Sequence, residues 1–467
     1  MKKIVLLLTI AVSFNLNAQF AEDAAALLDN QYGFGAKSIA MGSAFTAVSD
    51  DYSAIYWNPA GLAQIKKMEF YAGLSHLSFD NDATYLGNQV NSNDSFTKLS
   101  SLGLVFPIPT YQGSLVFALG YQRIKDFDNT LQFSGYNTNS NDLFFSFEEN
   151  NNLVDYYFDK DIQQEELVQQ DGNLNNWSFA GAVDVSPNVS VGATLNFLTG
   201  SSSYLFDYLQ TDINGIYPDS ILDNQYSPPR NRDMDYHSYA LSQKILTDYS
   251  SFQLKLGALL RPSNFIKVGL NITLPSTINI VEQYNDNDVI VFDDGFEDAL
   301  VGDPSEFEYD VSLPFQFGLG GAYIYNDLTV SLDLEYLDVS QVEFELPSDV
   351  SLSSDYSALL DENKRIKSKY DQNLKLKAGA EYFWRDQNLM FRGGYMLDPS
   401  PLKDAPSDFD RQFLTAGLGL IVDKQFIIDL AFMHGTWKNF SSDIYTPNGT
   451  EEDITYQKIY LTTSFRF

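Results

Sequence analysis

The side chains that could carry out chemistry in this chain are few and scattered. Its three histidines, His76, His237 and His434, fall on two strand-like stretches and a loop with no motif attached, whereas nucleophilic catalysis needs Ser and His together on one accessible face. Gly33-Phe34-Gly35 is a fragment of a phosphate-loop pattern, without a preceding strand or a following Lys, and reads as turn glycine. The chain has no cysteine, which excludes thiolate chemistry, thiolate metal sites, a disulfide framework and a lipid anchor. Asp286-Asn287-Asp288 lacks the Gly and distal Glu of an EF-hand loop, and the acidic run from Asn285 to Asp310 reads as a solvated loop face. No catalytic residue, cofactor or metal site is expected. What remains is Lys375 and Lys377, two residues apart in an alternating stretch, whose ammonium groups would suit an anionic headgroup.

The elements that hold these residues are strands. In Phe265 to Leu274, Ile266, Val268, Leu270, Ile272 and Leu274 share one face while Lys267, Gly269, Asn271 and Thr273 share the other. The same two-residue period recurs in Leu328 to Tyr336 and Leu374 to Tyr382. Charges sit in mid-strand on the polar face: Lys255, Lys267, Asp333, Glu335, Lys375, Lys377, Glu381 and Asp429. Alternation alone fits a soluble sandwich as well as a barrel.

Other features choose between them. Met1-Lys2-Lys3, the apolar run Ile4 to Phe14 and the small residue Ala18 form a secretory signal over 1–18. The run is about half the roughly 20 residues a membrane helix needs, and no later run is long enough, although 44% of residues are hydrophobic. The net charge of −33 argues against nucleic acid and against docking on anionic lipid. In the last stretch Ile459, Leu461, Phe465 and Phe467 lie on one face and the final residue is aromatic, which resembles the assembly signal of bacterial outer-membrane barrels.

Fourteen strands are predicted: Met68 to Ser78, Lys98 to Phe106, Gln112 to Ile124, Leu174 to Val185, Asn188 to Leu205, Ser250 to Arg261, Asn264 to Tyr284, Phe307 to Tyr323, Asp327 to Glu345, Asn373 to Trp384, Asn388 to Leu397, Arg411 to Val422, Gln425 to Trp437 and Thr455 to Phe467. An even count with short turns at one end and long loops at the other is the pattern of a transmembrane β-barrel. The long connections are Lys125 to Asn173, Phe206 to Tyr249, Asn285 to Glu306 and Leu346 to Gln372. Tyr236 to Ser242 and Ser354 to Leu360 carry local structure that the pattern does not assign.

Such a barrel has a lumen wider than its own side chains fill. The segment 19–67 is long enough to plug it, and its small-residue stretch Gly33 to Gly61 is too short for a core of its own. Ala21 to Asn30 is expected to form a short helix, and Ser49 to cap a second one ending near Tyr56 with Asp50 and Asp51 in its first turn. Asn58-Pro59-Ala60 reads as a turn, because the residue before Pro is pushed out of helical geometry.

Ala40-Met41-Gly42, Ala44-Phe45, Asp50-Asp51 to Tyr56 and Asn58-Pro59-Ala60-Gly61 together resemble the hatch of the FadL/TodX family of outer-membrane transporters. The resemblance implies an all-β, 14-stranded antiparallel barrel with an N-terminal hatch over 19–67, a barrel over 68–467, and no enzymatic activity. It implies uptake of hydrophobic compounds such as long-chain fatty acids, which are bound against the hatch at Phe45, Trp57, Asn58, Pro59 and Ala60 and released laterally into the membrane. It implies lipid and lipopolysaccharide surroundings in a bacterial outer membrane. A kinked third strand is the family's lateral opening, and Gly113 and Gly120 could permit the bend. Lys375 and Lys377 then become fatty-acid headgroup candidates, against the favoured reading of lumen ion pairs that support the hatch. The alternatives are a PorV-like secretion-associated barrel that docks protein partners, and a general diffusion porin, which a lumen-filling hatch disfavours.

Overall fold

A computed structural model of the chain describes residues 21–28, 32–149, 152–217, 236–293, 295–347, 353–423 and 425–467; the expected signal segment lies outside them. Fourteen antiparallel strands close into a barrel. They are β1 Glu69–Tyr85, β2 Asn88–Ile108, β3 Leu115–Asp126 with its continuation Asn129–Asn137, β4 Ile162–Ser186, β5 Val189–Thr211 and β6 Tyr236–Leu260. β7 is Ile266–Thr273 continued as Ser276–Phe292, and β8 is Ser305–Leu313 continued as Gln316–Tyr325. The rest are β9 Leu328–Asp338, β10 Gln372–Trp384, β11 Leu389–Asp398, β12 Arg411–Val422, β13 Phe426–Ser441 and β14 Thr450–Arg466. The ladder closes where β1 meets β14, with Phe70 opposite Phe465.

Each strand is solvated by lipid on one side, so its apolar residues point outward, the reverse of a water-soluble sheet. Leu270, Leu319, Leu332, Leu376, Leu418, Leu430 and Leu461 are exposed on the outer face. Their polar neighbours face the lumen, where Asp333, Lys375, Lys377 and Asp429 are all buried. Tyr323, Tyr325, Trp384 and Phe467 are exposed near the short-turn end, the place where aromatic rings settle at a bilayer interface.

The short-turn ends agree with the sequence pattern to within a few residues. At the other end several strands run well past the expected limits, β4 beginning at Ile162 and β6 at Tyr236, so much of the expected long loops is ladder; β9, expected to reach Glu345, stops at Asp338, whose side chain accepts from Ser340 N and starts a 3-10 turn. The stretch left unassigned at Ser354 to Leu360 begins a helix, α4 Ser354–Lys369, capped by Ser353. Inside the barrel lie α1 Ala21–Ala26, α2 Ala36–Ala40, α3 Ala54–Trp57 and a 3-10 turn Pro59–Gln64. The expected cap at Ser49 is not made. Its hydroxyl donates instead to Phe45 O at 2.7 Å, and the helix starts later, at Ala54, because Asp51 turns the chain first by accepting from Ser53 N and Oγ.

Candidate functional site

The hatch is seated in the wall by absent side chains. Glycines face each other across four strand pairs: Gly103 with Gly120, Gly192 with Gly257, Gly269 with Gly320, and Gly379 with Gly394. A methyl group at any of them would overlap the hatch or the wall beside it: Tyr52 at the first pair, Asn58 to Ala60 at the second, Thr46 and Ala47 at the third, Met41 and Gly42 at the fourth. The first pair makes room for the Tyr52 ring, and the other three are shallow slots into which hatch backbone sinks close against the wall. Ser331 Oγ donates to Ala44 O, Thr46 N to Asp333 Oδ2, Thr194 Oγ1 to Ile55 O, and Gly42 N to Thr415 Oγ1, all between 2.7 and 3.0 Å.

Asn58 is the junction of this arrangement. Its Nδ2 donates to Thr46 O at 2.8 Å and to Ala258 O of β6 at 3.0 Å, while its Oδ1 accepts from Ala60 N at 3.1 Å. One amide thus folds the Asn58-Pro59-Ala60 turn, ties it to the hatch's other arm and fixes it to the barrel. Trp57 Nε1 donates to Phe34 O at 3.3 Å, and the Lys377 ammonium sits 5.3 Å from the Trp57 ring centre. Phe45 is fully buried in the core shared by hatch and wall.

Many charges in the lumen are paired and several pairs reach the hatch, while Lys255 donates to Tyr56 O and Lys267 to Gln64 Oε1. Lys37 bonds Asp50 at 2.7 Å and stands 3.9 Å from Glu381, which Arg392 joins to Asp429 through two bonds of 2.6 Å. Glu69 accepts from Tyr52 N at 2.9 Å and from Arg466 at 2.5 Å, linking hatch, first strand and last strand. Burial pushes the Asp50 carboxyl up, but the Lys37 ammonium and its hydrogen bond, joined by the charges of Lys267 and Arg466, together outweigh it and hold the group at about 2. Asp51 has no such cation: burial, then the neighbouring Glu69 and Asp50 carboxylates, push it up to about 7. Lys375 lies 3.3 Å from Asp398 and Lys377 2.6 Å from Glu335, so both lysines already face carboxylates. His76, His237 and His434 contact Thr97, Asp293 and Phe432 respectively and do not converge.

The third strand is interrupted, but not at the glycines singled out for a bend. Gly113 lies in the turn before β3 and Gly120 in an unbroken ladder under Tyr52. The interruption is at Phe127-Asp128, between the two pieces of β3. Above it, β3 pairs with β4 alone, and β2 from Lys98 to Asn88 pairs with β1 alone. Side chains take over across this stretch: Lys98 pairs with Asp128, Thr130 bonds Asp94, and Ser92 Oγ donates to Thr130 O at 2.9 Å. The polar cavity beside it, lined by Tyr32, Ser100, Arg123, Lys125 and Lys458 among others, holds about 10 Å³, room for about one water. A larger cleft of about 500 Å³ lies near the long-loop end, with Phe133, Leu167, Tyr208, Leu209 and Leu241 in its lining. There the loops supply Phe145, Phe158, Tyr217 and Tyr445, which pack on Phe206, Tyr236 and Tyr239 of the wall.

The sequence model of the family described as outer membrane protein transport protein (OMPP1/FadL/TodX) matches residues 15–453. The toluene transporter TodX of P. putida superposes with a TM-score of 0.58 at 14% identity, over 94% of this chain and 99% of that one. A Pseudomonas aeruginosa FadL homologue gives 0.54 at 16% identity, over 94% and 98%. The Ralstonia pickettii toluene transporter TbuX gives 0.53 at 17%, over 94% and 99%. At such identities these likenesses show the fold alone. Among curated proteins, no sequence matches.

Proposed function

The chain belongs to the OMPP1/FadL/TodX family of outer-membrane transport proteins, a family of channels for hydrophobic compounds, and from that premise we propose a route for its own cargo. A hydrophobic molecule is captured at the cleft near the long loops, passes to the hatch around Trp57 and Asn58-Pro59-Ala60, and leaves sideways through the interruption of the third strand. The single observation that carries this reading is that interruption: main-chain pairing between β2 and β3 stops at Ser101 and Gln122. The polar layer of lipopolysaccharide hinders apolar solutes, and a pocket that returns about 25 cal/mol per Å² of buried apolar area can carry them through it. The hatch closes the axial path, so the lumen is not a water-filled pore.

Long-chain fatty acids and single-ring hydrocarbons both fit such a route, and the structural likeness to the toluene transporters TodX and TbuX makes the second class a specific choice for assay. In this reading Lys375 and Lys377 serve the hatch and the wall, since each already faces a carboxylate. The test is uptake of radiolabelled toluene and hexadecanoate by cells lacking any other outer-membrane transporter of this kind. Uptake of either, dependent on this chain, is expected; uptake of neither would overturn the proposal.

A further inference from the structure

We infer that Phe127 and Tyr249 form an aromatic bar just inside the interrupted wall, and that this bar sets the width of the molecules that can leave sideways. The inference rests on the lateral route proposed above and assigns its selectivity to two side chains.

β3 parts from β2 after Gln122, and Phe127 is the first residue of the break between the two pieces of β3. Its N–H donates to Gly172 O of β4 at 3.2 Å, so the strand is held on one side while its other side is free of main-chain partners. Gly172 has φ of 131°, a conformation open to glycine and closed to most side chains. Held this way, Phe127 points inward and is 9% exposed. Its ring stacks on Tyr249 of β6, with centroids 5.4 Å apart and planes 15° from parallel. Two strands separate the two residues along the wall, and Leu174 of the first, β4, and Leu198 of the second, β5, lie in the same apolar cluster. Tyr249 is itself fixed by its hydroxyl, 2.9 Å from Ser202 Oγ, and the Lys125 ammonium sits 4.9 Å from the Phe127 ring centre.

The cluster has two ends. Tyr56 of the hatch packs against it on one side, and the wall interruption adjoins it on the other. A molecule moving from hatch to lipid therefore meets the Phe127 ring before it meets the Lys98–Asp128 pair that spans the interruption. Where neighbouring strands stay paired, as along β4, β5 and β6, a sideways exit would have to break a ladder of main-chain bonds. Here it needs a ring to swing and a few side-chain bonds to part. A ring held in a stack gives way to a narrow solute more readily than to a wide fused-ring one, so the bar discriminates by cross-section.

The experiment compares uptake of toluene, naphthalene and pyrene by cells carrying the wild-type chain, Phe127→Ala, Phe127→Leu, Phe127→Trp or Tyr249→Ala. Each barrel is first checked for resistance to detergent unfolding, and Phe127→Leu serves if the alanine variant does not fold. Removing either ring is expected to raise the pyrene-to-toluene ratio by about tenfold, the scale of discrimination set by apolar fit, and Phe127→Trp to lower it. A ratio unchanged in all folded variants would overturn the inference while leaving the lateral route standing. No uptake of any probe by the wild type would overturn the transport reading and this inference with it.

Discussion

Replacing Asn58 by alanine should loosen the hatch and make the barrel leak. The amide makes three bonds, to Thr46 O, Ala258 O and Ala60 N, and all of Asn58 is buried. A net bond is worth about 1 kcal/mol and a buried group left without a partner costs about 1–3 kcal/mol. Water entering the space left by the amide would recover part of this, so a loss of about 3 kcal/mol is a fair working figure. That is about a hundredfold in the ratio of displaced to seated hatch. The assay is conductance of the purified protein in planar bilayers, with hydrogen exchange of the hatch amides as a second readout. Brief openings should become about a hundred times more frequent in Asn58→Ala, and Gly257→Ala should produce the same phenotype from the wall side, since its methyl would overlap Asn58 and Pro59. Deleting 19–60 should give a persistent open channel. Unchanged conductance and unchanged exchange in Asn58→Ala would refute the reasoning.

Three further outcomes are expected. Gly120→Val places a side chain where Tyr52 Oη and the β2 backbone at Leu102 and Gly103 lie, so it should lower thermal stability of the hatch, read as an earlier loss of hatch protection on heating, and lower that of the barrel as well. Hatch docking should weaken as pH rises from about 4 to about 7, because Asp51 is held at about 7 when folded against about 3.9 when free; below the lower value it is protonated in both states, and above the upper one the cost is constant. Asp51→Asn should remove that slope in hatch exchange rates, whereas Asp50, held near 2 by Lys37, contributes only below about pH 4. Lys377→Ala should destabilise the barrel by about 1–2 kcal/mol by removing the nearest cation from Glu335, which keeps Lys375 and Lys255 nearby, and should not select against hexadecanoate relative to toluene; a selective loss of the acid would restore the headgroup role.

The strands were legible wherever lipid imposes alternation. Phe265 to Leu274 and Leu328 to Tyr336 show it, and their ends at the short turns follow from turn residues. Above the membrane both faces meet water or loops, so stretches such as Gln163 to Gln170 and Asn88 to Ser95 continue the ladder with no apolar period to announce it. The hatch was legible as a small-residue segment, but its seat was not: Gly192 and Gly257 are remote in sequence and become a slot only when β5 and β6 pair. Glycine suggested a bend at Gly113 or Gly120, yet both serve other ends. The interruption falls at Phe127-Asp128, where the deciding partners, Gly172, Lys98 and Tyr249, lie on three different strands and leave no local signal. Ser49 was a plausible cap by type, and it was outcompeted by the Asp51 to Ser53 bonds.

The lateral route is tested most directly by tying the interruption shut. The chain has no cysteine, so Lys98→Cys with Asp128→Cys can be joined by a short cleavable thiol cross-linker without side reactions. Uptake of toluene and hexadecanoate should fall to the level of cells lacking the protein when the link is made and return when it is cleaved. Undiminished uptake through a fully cross-linked barrel would contradict the account.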